Sequence, residues 1–198
     1  MQKIMFNDKY GLTKAVLEGR KTQTRRIAYT GNATIIDCGI CAEPKNFGRA
    51  ILFRGIDEIA HSRYNVGEEV AIAQPYRMTV RKVDYKEKKT KEIVCSIGWT
   101  NKMYVKADLM PHRIRITNIR AERLQDISNE DCIAEGIQEY PDVHNYMCGF
   151  SYIKDAALKF EASPTPREAY ANLIEHISGK GTWASNPYVF VYDFELIK

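Results

Sequence analysis

Gly19-Arg20-Lys21-Thr22-Gln23-Thr24-Arg25-Arg26 is the stretch on which the reading of this chain turns. Ahead of it, Leu12, Ala15 and Val16 recur at helical spacing, with Tyr10 beside them. A helix is therefore predicted over residues 9–18, with Gly19 supplying the left-handed cap that ends it. Residues 20–27 then read as extended. Strict alternation would put Thr22, Thr24 and Arg26 on one face and Lys21, Gln23 and Arg25 on the other. On that pattern Lys21 and Thr24 meet only if the chain bends near Gly19.

Four cations this close together repel one another, so burial or use must justify them. Arginine offers a planar fork of donors and lysine a point charge, so the cluster suits a phosphate. Like charges also depress the pKa of Lys21. A neutral lysine beside the Thr24 hydroxyl is one recipe for an activated nucleophile. The plainer reading is a solvated basic turn at a helix C-terminus, where cations suit the helix dipole.

A chain of 198 residues with 44% hydrophobic content can build one domain around its own core. A net charge of +4 and a pI near 8.7 permit an anionic partner without requiring one. Residues 1–9 hold no apolar segment of the signal-peptide kind, and no apolar run approaches a membrane span. A cytoplasmic protein with its five cysteines reduced and no cofactor is the expectation.

Residues 29–48, rich in Gly, Asn, Thr and Cys, read as an irregular insertion. Strands are predicted at 50–54, 69–73, 78–85 and 93–97, with a charged hairpin tip at 86–91. Residues 112–121 alternate, with a bulge between 117 and 119. Ser128 caps a short helix over 129–135 that ends at Gly136. Residues 137–163 form a second insertion. Thr165-Pro166-Arg167-Glu168 opens a helix with cap, first-turn proline and acid in register, and Tyr170, Leu173, Ile174 and Ile177 make its buried stripe. The chain closes on a strand over 188–197. Six or seven strands and three helices, antiparallel in connection style, give an α+β fold with a small barrel.

Four segments in order resemble the ASCH domain of the PUA-like superfamily, in the form common in phages and prophages. They are residues 17–26; Tyr64-Asn65-Val66-Gly67-Glu68-Glu69-Val70-Ala71-Ile72; Arg120-Ala121-Glu122-Arg123-Leu124-Gln125-Asp126-Ile127-Ser128 continuing to Ala134-Glu135-Gly136; and Gly179-Lys180-Gly181-Thr182-Trp183 with Asn186-Pro187-Tyr188-Val189. They bracket almost the whole chain as a single domain over 1–198, leaving out the insertions at about 29–48 and 137–163. The resemblance implies a small, mostly antiparallel β-barrel with flanking helices and a cleft that binds RNA or a modified nucleobase. One branch of the family hydrolyses the acetyl amide on the exocyclic amine of acetylcytidine, using a lysine, a threonine and a glutamate. By motif these become Lys21, Thr24 and Glu135, with Glu130 competing for the acidic role.

Amide hydrolysis needs a nucleophile, a proton acceptor and a stabiliser of the oxyanion. Thr24 would attack or orient a water, Lys21 would take the proton, and Glu135 would orient Lys21 or serve the leaving amine. The leading reading is that these groups bind RNA or a nucleobase without reacting. Lys21 and Arg26 then hold a phosphate, Glu135 ties down the basic strand by an ion pair, and Arg20, Arg25 and Arg26 are ligand-binding residues. Hydrolysis is the alternative, and an interaction module without nucleic acid is the second alternative. Trp183 either stacks a base or plugs the barrel end. Asn186 either reads a base edge or shapes the turn before Pro187. Arg113, Arg115, Arg120 and Arg123 either extend an RNA path or form a solvated face. Cys38 and Cys41, with His144 and Cys148, make a weak zinc set beside the commoner reading of unligated thiols.

Overall fold

A computed structural model describes residues 1–29, 37–40, 48–54, 56–79, 88–140, 149–152 and 162–197. Its strands are β1 (Gln2–Ile4), β2 (Gln23–Ile27), β3 (Asp37–Ile40), β4 (Ala50–Arg54), β5 (Asp57–His61), β6 (Glu69–Ile72), β7 (Arg113–Arg123), β8 (Gln138–Tyr140), β9 (Gly149–Ser151) and β10 (Tyr188–Ile197). Its helices are α1 (Leu12–Leu17), α2 (Tyr76–Thr79), α3 (Lys88–Val94), α4 (Asn129–Ala134), α5 (Pro166–Ser178) and α6 (Thr182–Ser185).

The fold is mixed α+β with a mostly antiparallel main sheet in the order β1-β6-β7-β10-β2. Only the β1–β6 pair is parallel in this sheet. No pairing joins β1 to β2 among the described residues, which therefore form no closed barrel among themselves. The centre is the long β7–β10 ribbon. Its register skips Thr117, because Asp193 pairs with Asn118 and Phe194 with Ile116. The bulge expected from the broken alternation is there. Val70, Ile72, Ile114, Ile116, Val191 and Tyr192 from this sheet are buried against α1 and α5 residues such as Val16, Tyr170 and Leu173. Burial of both faces of β10, from Val189 to Tyr192, marks it as an interior strand.

Capping sets the helices in place. Thr165 accepts from the Glu168 amide ahead of Pro166 at the first turn of α5, and Ser128 accepts from the Asp131 amide at the start of α4. Gly19 sits at φ +74 after α1, as its cap role predicts.

The strand expected at 93–97 is not formed, and of the one expected at 78–85 only Met78 and Thr79 are described, both in α2. Tyr76–Thr79 follows Pro75, whose carbonyl accepts from the Met78 amide and starts a turn. Lys88–Val94 is a helix, and the Ile93-Val94 pair that suggested a strand sits at its end. Ile93 packs with Trp99 onto a second small core of Ala71, Ala73, Tyr76, Val105 and Met110. Residues 80–87 lie outside the described residues. Both insertions hold regular structure: β3 joins β4 and β5 in a separate antiparallel sheet, and β8 pairs with β9. Among the described residues, no helix is long and apolar enough to cross a membrane.

Candidate active site

The chain between α1 and β2 is held from three sides. The Arg20 and Lys21 amides both donate to the Ala15 carbonyl, the Thr22 amide donates to the Ala134 carbonyl at the end of α4, and Thr22 accepts from the Phe194 amide. Because β2 starts only at Gln23, alternation never reaches Lys21. The bend at Gly19 turns Lys21 and Thr24 toward one space. That space is a cavity of about 620 Å³, lined by Lys21, Thr24, Arg25, Arg26, Glu135 and Tyr170, with an apolar wall that includes Leu124, Leu173, Ile174 and Ile177. A volume of this size suits a small organic ligand.

Lys21 is buried, with its side chain 1% exposed. Its Nζ donates to the carbonyls of Gln23 (2.7 Å) and Glu135 (2.8 Å) and to the Glu135 carboxylate. Three acceptors around one nitrogen match the three donors of an ammonium. Burial nevertheless lowers the Lys21 pKa. Glu135 opposes that shift, and Arg26 and Arg25 reinforce it. The sequence reading credited the lowering to neighbouring arginines; desolvation is the larger cause. The Phe6 ring adds cation–π contact, with Lys21 Nζ 5.9 Å and the Arg26 guanidinium 5.8 Å from its centroid.

Glu135 is buried and serves two cations. Its second oxygen lies 3.4 Å from Arg25. Glu130 is exposed on α4, and Glu135 is the one of the two that lies buried beside Lys21. Gly136 follows at φ +104, a conformation that strains any residue with a Cβ. It lets the chain leave α4 with Glu135 directed at Lys21.

Arg25 does not face open solvent. It donates to Glu122 (2.7 and 3.0 Å), Asp131 (2.7 Å) and the Gln23 side chain. Burial works against its charge, but Glu135, then Tyr170 and Glu122, overcome this and push its pKa further up. Gln23 in turn donates to Asp131 (3.0 Å) and Asp193 (2.6 Å). Arg120 donates to Glu122 (3.0 Å), Asp131 (2.6 Å) and Asp193 (3.1 Å). Lys21, Arg25 and Arg120 are thus balanced by Glu135, Glu122, Asp131 and Asp193. Two of the four cations that looked like a phosphate cluster, Lys21 and Arg25, belong to this internal ionic lattice. Arg115 is likewise paired, with Glu69 and Glu195, and Arg113 with Glu69. Arg123 donates to the Asn186 carbonyl and lies 4.0 Å over the Tyr188 ring.

Arg26 differs. It donates to the Met5 carbonyl (2.7 Å) and has no carboxylate partner among the described residues. Arg20 reaches Glu18 at 2.7 Å and does not line the cavity.

Trp183, expected to line the same pocket as Lys21 and Glu135, and Asn186 are not among the residues lining this cavity. Trp183 sits in α6, edge-on to Tyr170 at 6.4 Å, with Arg167 5.6 Å from its ring centroid. Its ring thus packs against Tyr170, which lines the cavity. Asn186 adopts φ +44 and its side chain accepts from the Gln125 amide at 2.8 Å, so it shapes the turn before Pro187. Of the zinc set, Cys41, His144 and Cys148 lie outside the described residues, and Cys38 is described only as part of β3. Among the described residues no group of three metal-ligating side chains occurs.

One residue read only as core belongs to the site. Tyr170 is 1% exposed, lines the cavity, and its hydroxyl has no partner among the described residues. Burial raises its pKa well above the usual value, with Glu135 adding to the effect, so it stays a neutral donor. The available signal was a tyrosine on a stripe otherwise made of Leu and Ile. Such a phenol buried without a partner costs free energy that a ligand carbonyl would recover. Comparison with family models, with curated proteins and with solved structures gave no match.

Proposed function

We propose that the chain is an amidohydrolase of the ASCH type, removing an acyl group from the exocyclic amine of a cytidine-like nucleoside held in the cavity. The observation that carries this reading is the buried Lys21–Glu135 pair with Thr24 on the same cavity, assembled from segments more than a hundred residues apart. On this reading the main sheet is the described part of a PUA-like barrel, and the protein works in the cytoplasm.

The chemistry follows from the contacts. At rest Lys21 is an ammonium. Passing one proton to Glu135 leaves a neutral amine, a transfer helped by the lowered Lys21 pKa. As the Thr24 oxygen bonds to the acyl carbon, Lys21 accepts the hydroxyl proton, and the carbonyl oxygen becomes an oxyanion. Tyr170 donates a hydrogen bond to that oxygen. On collapse the C–N bond breaks, and Lys21 returns its proton to the leaving amine. Water then cleaves the threonine ester, giving the free acid and restoring Thr24, while Glu135 returns its proton to Lys21.

The test is incubation of the purified protein with N4-acetylcytidine and other acylated cytidines, followed by chromatography. Deacylation is expected, and it should be lost in Lys21→Ala and in Glu135→Gln. Intact substrate with folded wild-type protein across the acyl series would remove the proposal. A second reading, binding of RNA or a nucleobase without turnover, is favoured by the three acceptors that already satisfy the Lys21 ammonium. It predicts ligand affinity with no product. A scaffold for partners other than nucleic acid would bind neither.

A further inference from the structure

A second cavity of about 680 Å³ adjoins the first, and Met5, Arg26, Ile27 and Tyr29 line both. Its charge differs from that of its neighbour. The first cavity contains Asp8 and Glu135 in its lining, whereas the second has Lys3, Arg26, His61 and Arg63 and no carboxylate among its described lining residues. The Lys3 ammonium is already engaged by the carbonyls of Met103 (2.7 Å) and Val105 (2.8 Å). His61 lies 3.3 Å from Glu58. That leaves two guanidiniums. Arg26 donates to one backbone carbonyl, and Arg63 reaches only the Gln2 side chain, at 3.5 Å. Neither has a carboxylate partner among the described residues, in a chain where Arg25, Arg113, Arg115 and Arg120 all do.

Arg63 lies over an aromatic floor of the same cavity that Arg26 lines. Arg63 lies 5.5 Å from the Tyr64 ring centroid, and Tyr64 packs edge-on against Tyr192 at 5.3 Å. Burial raises the Tyr64 pKa, and Arg63 and Arg26 are the two cations that pull against it, so both fields converge on this wall. The Tyr64 and Tyr192 hydroxyls are committed: Tyr64 donates to the Lys3 carbonyl and Tyr192 accepts from the Arg63 amide. Beside the exposed Tyr29 hydroxyl, the open charged donors of the cavity are therefore guanidinium N–H groups, whose planar fork matches phosphate oxygens.

We propose that the second cavity is a phosphoryl subsite, so that the ligand of the whole site is a nucleotide rather than a free nucleoside. The base would occupy the first cavity and the sugar phosphate would cross the shared wall to Arg26 and Arg63. This rests on the reading that the first cavity holds a cytidine-like base. A space of this size exceeds one phosphate and leaves room for an adjoining sugar. The phosphate could belong to a mononucleotide or to a nucleic-acid strand; both present the same oxygens to the same two side chains.

The experiment is titration calorimetry with cytidine, cytidine 5′- and 3′-monophosphate and the dinucleotide cytidylyl-cytidine, each at 50 and 200 mM salt. Phosphorylated probes should bind wild-type protein at least tenfold more tightly than cytidine at low salt, with the gap narrowing at high salt. Arg63→Ala should bring the nucleotides to within about twofold of wild-type protein with cytidine. Arg63→Lys should keep part of the preference, and Arg115→Ala, a carboxylate-paired control, all of it. A monophosphate that binds best identifies a free nucleotide, and a dinucleotide that binds best identifies a strand. Equal wild-type affinity for cytidine and its phosphates, or a preference untouched in Arg63→Ala, overturns the subsite, as does failure of every probe to bind. Kinetics separates the two proposals. Phosphate preference without deacylation of acetylated probes leaves the subsite standing and ends the hydrolase reading. Deacylation with equal kcat/KM for nucleoside and nucleotide does the reverse.

Discussion

Glu135→Gln should destabilise the protein by an amount that shrinks as pH rises. The change removes the anionic partner of Lys21 and leaves the ammonium with two carbonyl acceptors, in a place where its side chain is 1% exposed. Breaking a buried pair by removing one partner costs about 3–5 kcal/mol. Lys21 has an escape, since it can fold as a neutral amine. From pH 7 to an ordinary lysine pKa of about 10.4, at about 1.36 kcal/mol per pH unit, that neutralisation costs about 4.6 kcal/mol. At pH 9 it costs only about 1.9 kcal/mol. The burial-lowered pKa of Lys21 is held up chiefly by Glu135, so losing Glu135 drops it further. With the folded pKa below the unfolded one, the unfolded state holds the extra proton between the two values. Stability then climbs with pH across that window and levels off near the unfolded pKa. Arg25 keeps Glu122 and Asp131 and limits the collateral loss. Urea unfolding followed by circular dichroism at pH 7, 8 and 9 measures the gap to wild type. It should fall from about 3–4.6 kcal/mol to below about 2 kcal/mol. The double variant Lys21→Met/Glu135→Leu should lose less than the two singles together. A gap of equal size at pH 7 and pH 9 would refute a buried, charged Lys21.

Thr24→Val keeps the shape of the site and removes the hydroxyl. Turnover should vanish while ligand affinity drops by at most about 1.5 kcal/mol, and full deacylase activity in this variant would hand the attack to water. Hydrogen bonds from Gln23 and Arg25 and the charge of Arg120 lower the Asp131 pKa against the effect of burial. Its contribution is present above the unfolded carboxylate pKa of about 3.9 and is lost as pH falls through the lower folded value. Acid unfolding of wild type should therefore steepen below about pH 4, and Asp131→Asn should flatten that region. Burial raises the Cys132 thiol to about 12, so iodoacetamide at pH 8 should label exposed Cys95 in the native protein and Cys132 only after unfolding, as read by peptide mass spectrometry. Gly136→Ala forces a Cβ onto a φ of +104 and should cost about 1–3 kcal/mol in a denaturant midpoint series.

Local signals made much of the frame legible. Gly19, Ser128, Thr165 and Gly136 punctuate helices where capping chemistry says they should, and the broken alternation near Thr117 marked its bulge. Glu135 and Lys21 were legible as a pair only through motif resemblance, because nothing local links positions so far apart. The carboxylates of Glu122, Asp131 and Asp193 that neutralise Arg25 and Arg120 come from three separate elements, so their pairing is a tertiary fact. Residues 93–97 misled for a related reason: Ile93 and Val94 favour a strand by type, and the helix reflects the preceding polar residues and the packing of Ile93 on the small core around Tyr76. Tyr170 escaped notice because helical periodicity assigns a face without saying what a hydroxyl on that face will meet.

Glu135 ends α4 and holds Lys21 through both its carbonyl and its carboxylate, while the Thr22 amide takes the carbonyl of Ala134 one residue earlier. The lysine therefore acts as a plug at the open, partially negative end of a helix of only six residues. So short a helix has little stability of its own, and without it the segment around Lys21 keeps its bonds to Ala15 and Phe194 but loses those of Thr22 to Ala134 and of Lys21 to Glu135. Each completes the other. The amides of residues 20–22 and of 132–137 should exchange with deuterium at a common rate set by one opening event, and catalytic competence should appear during refolding as a single step with α4, with no partly assembled stage.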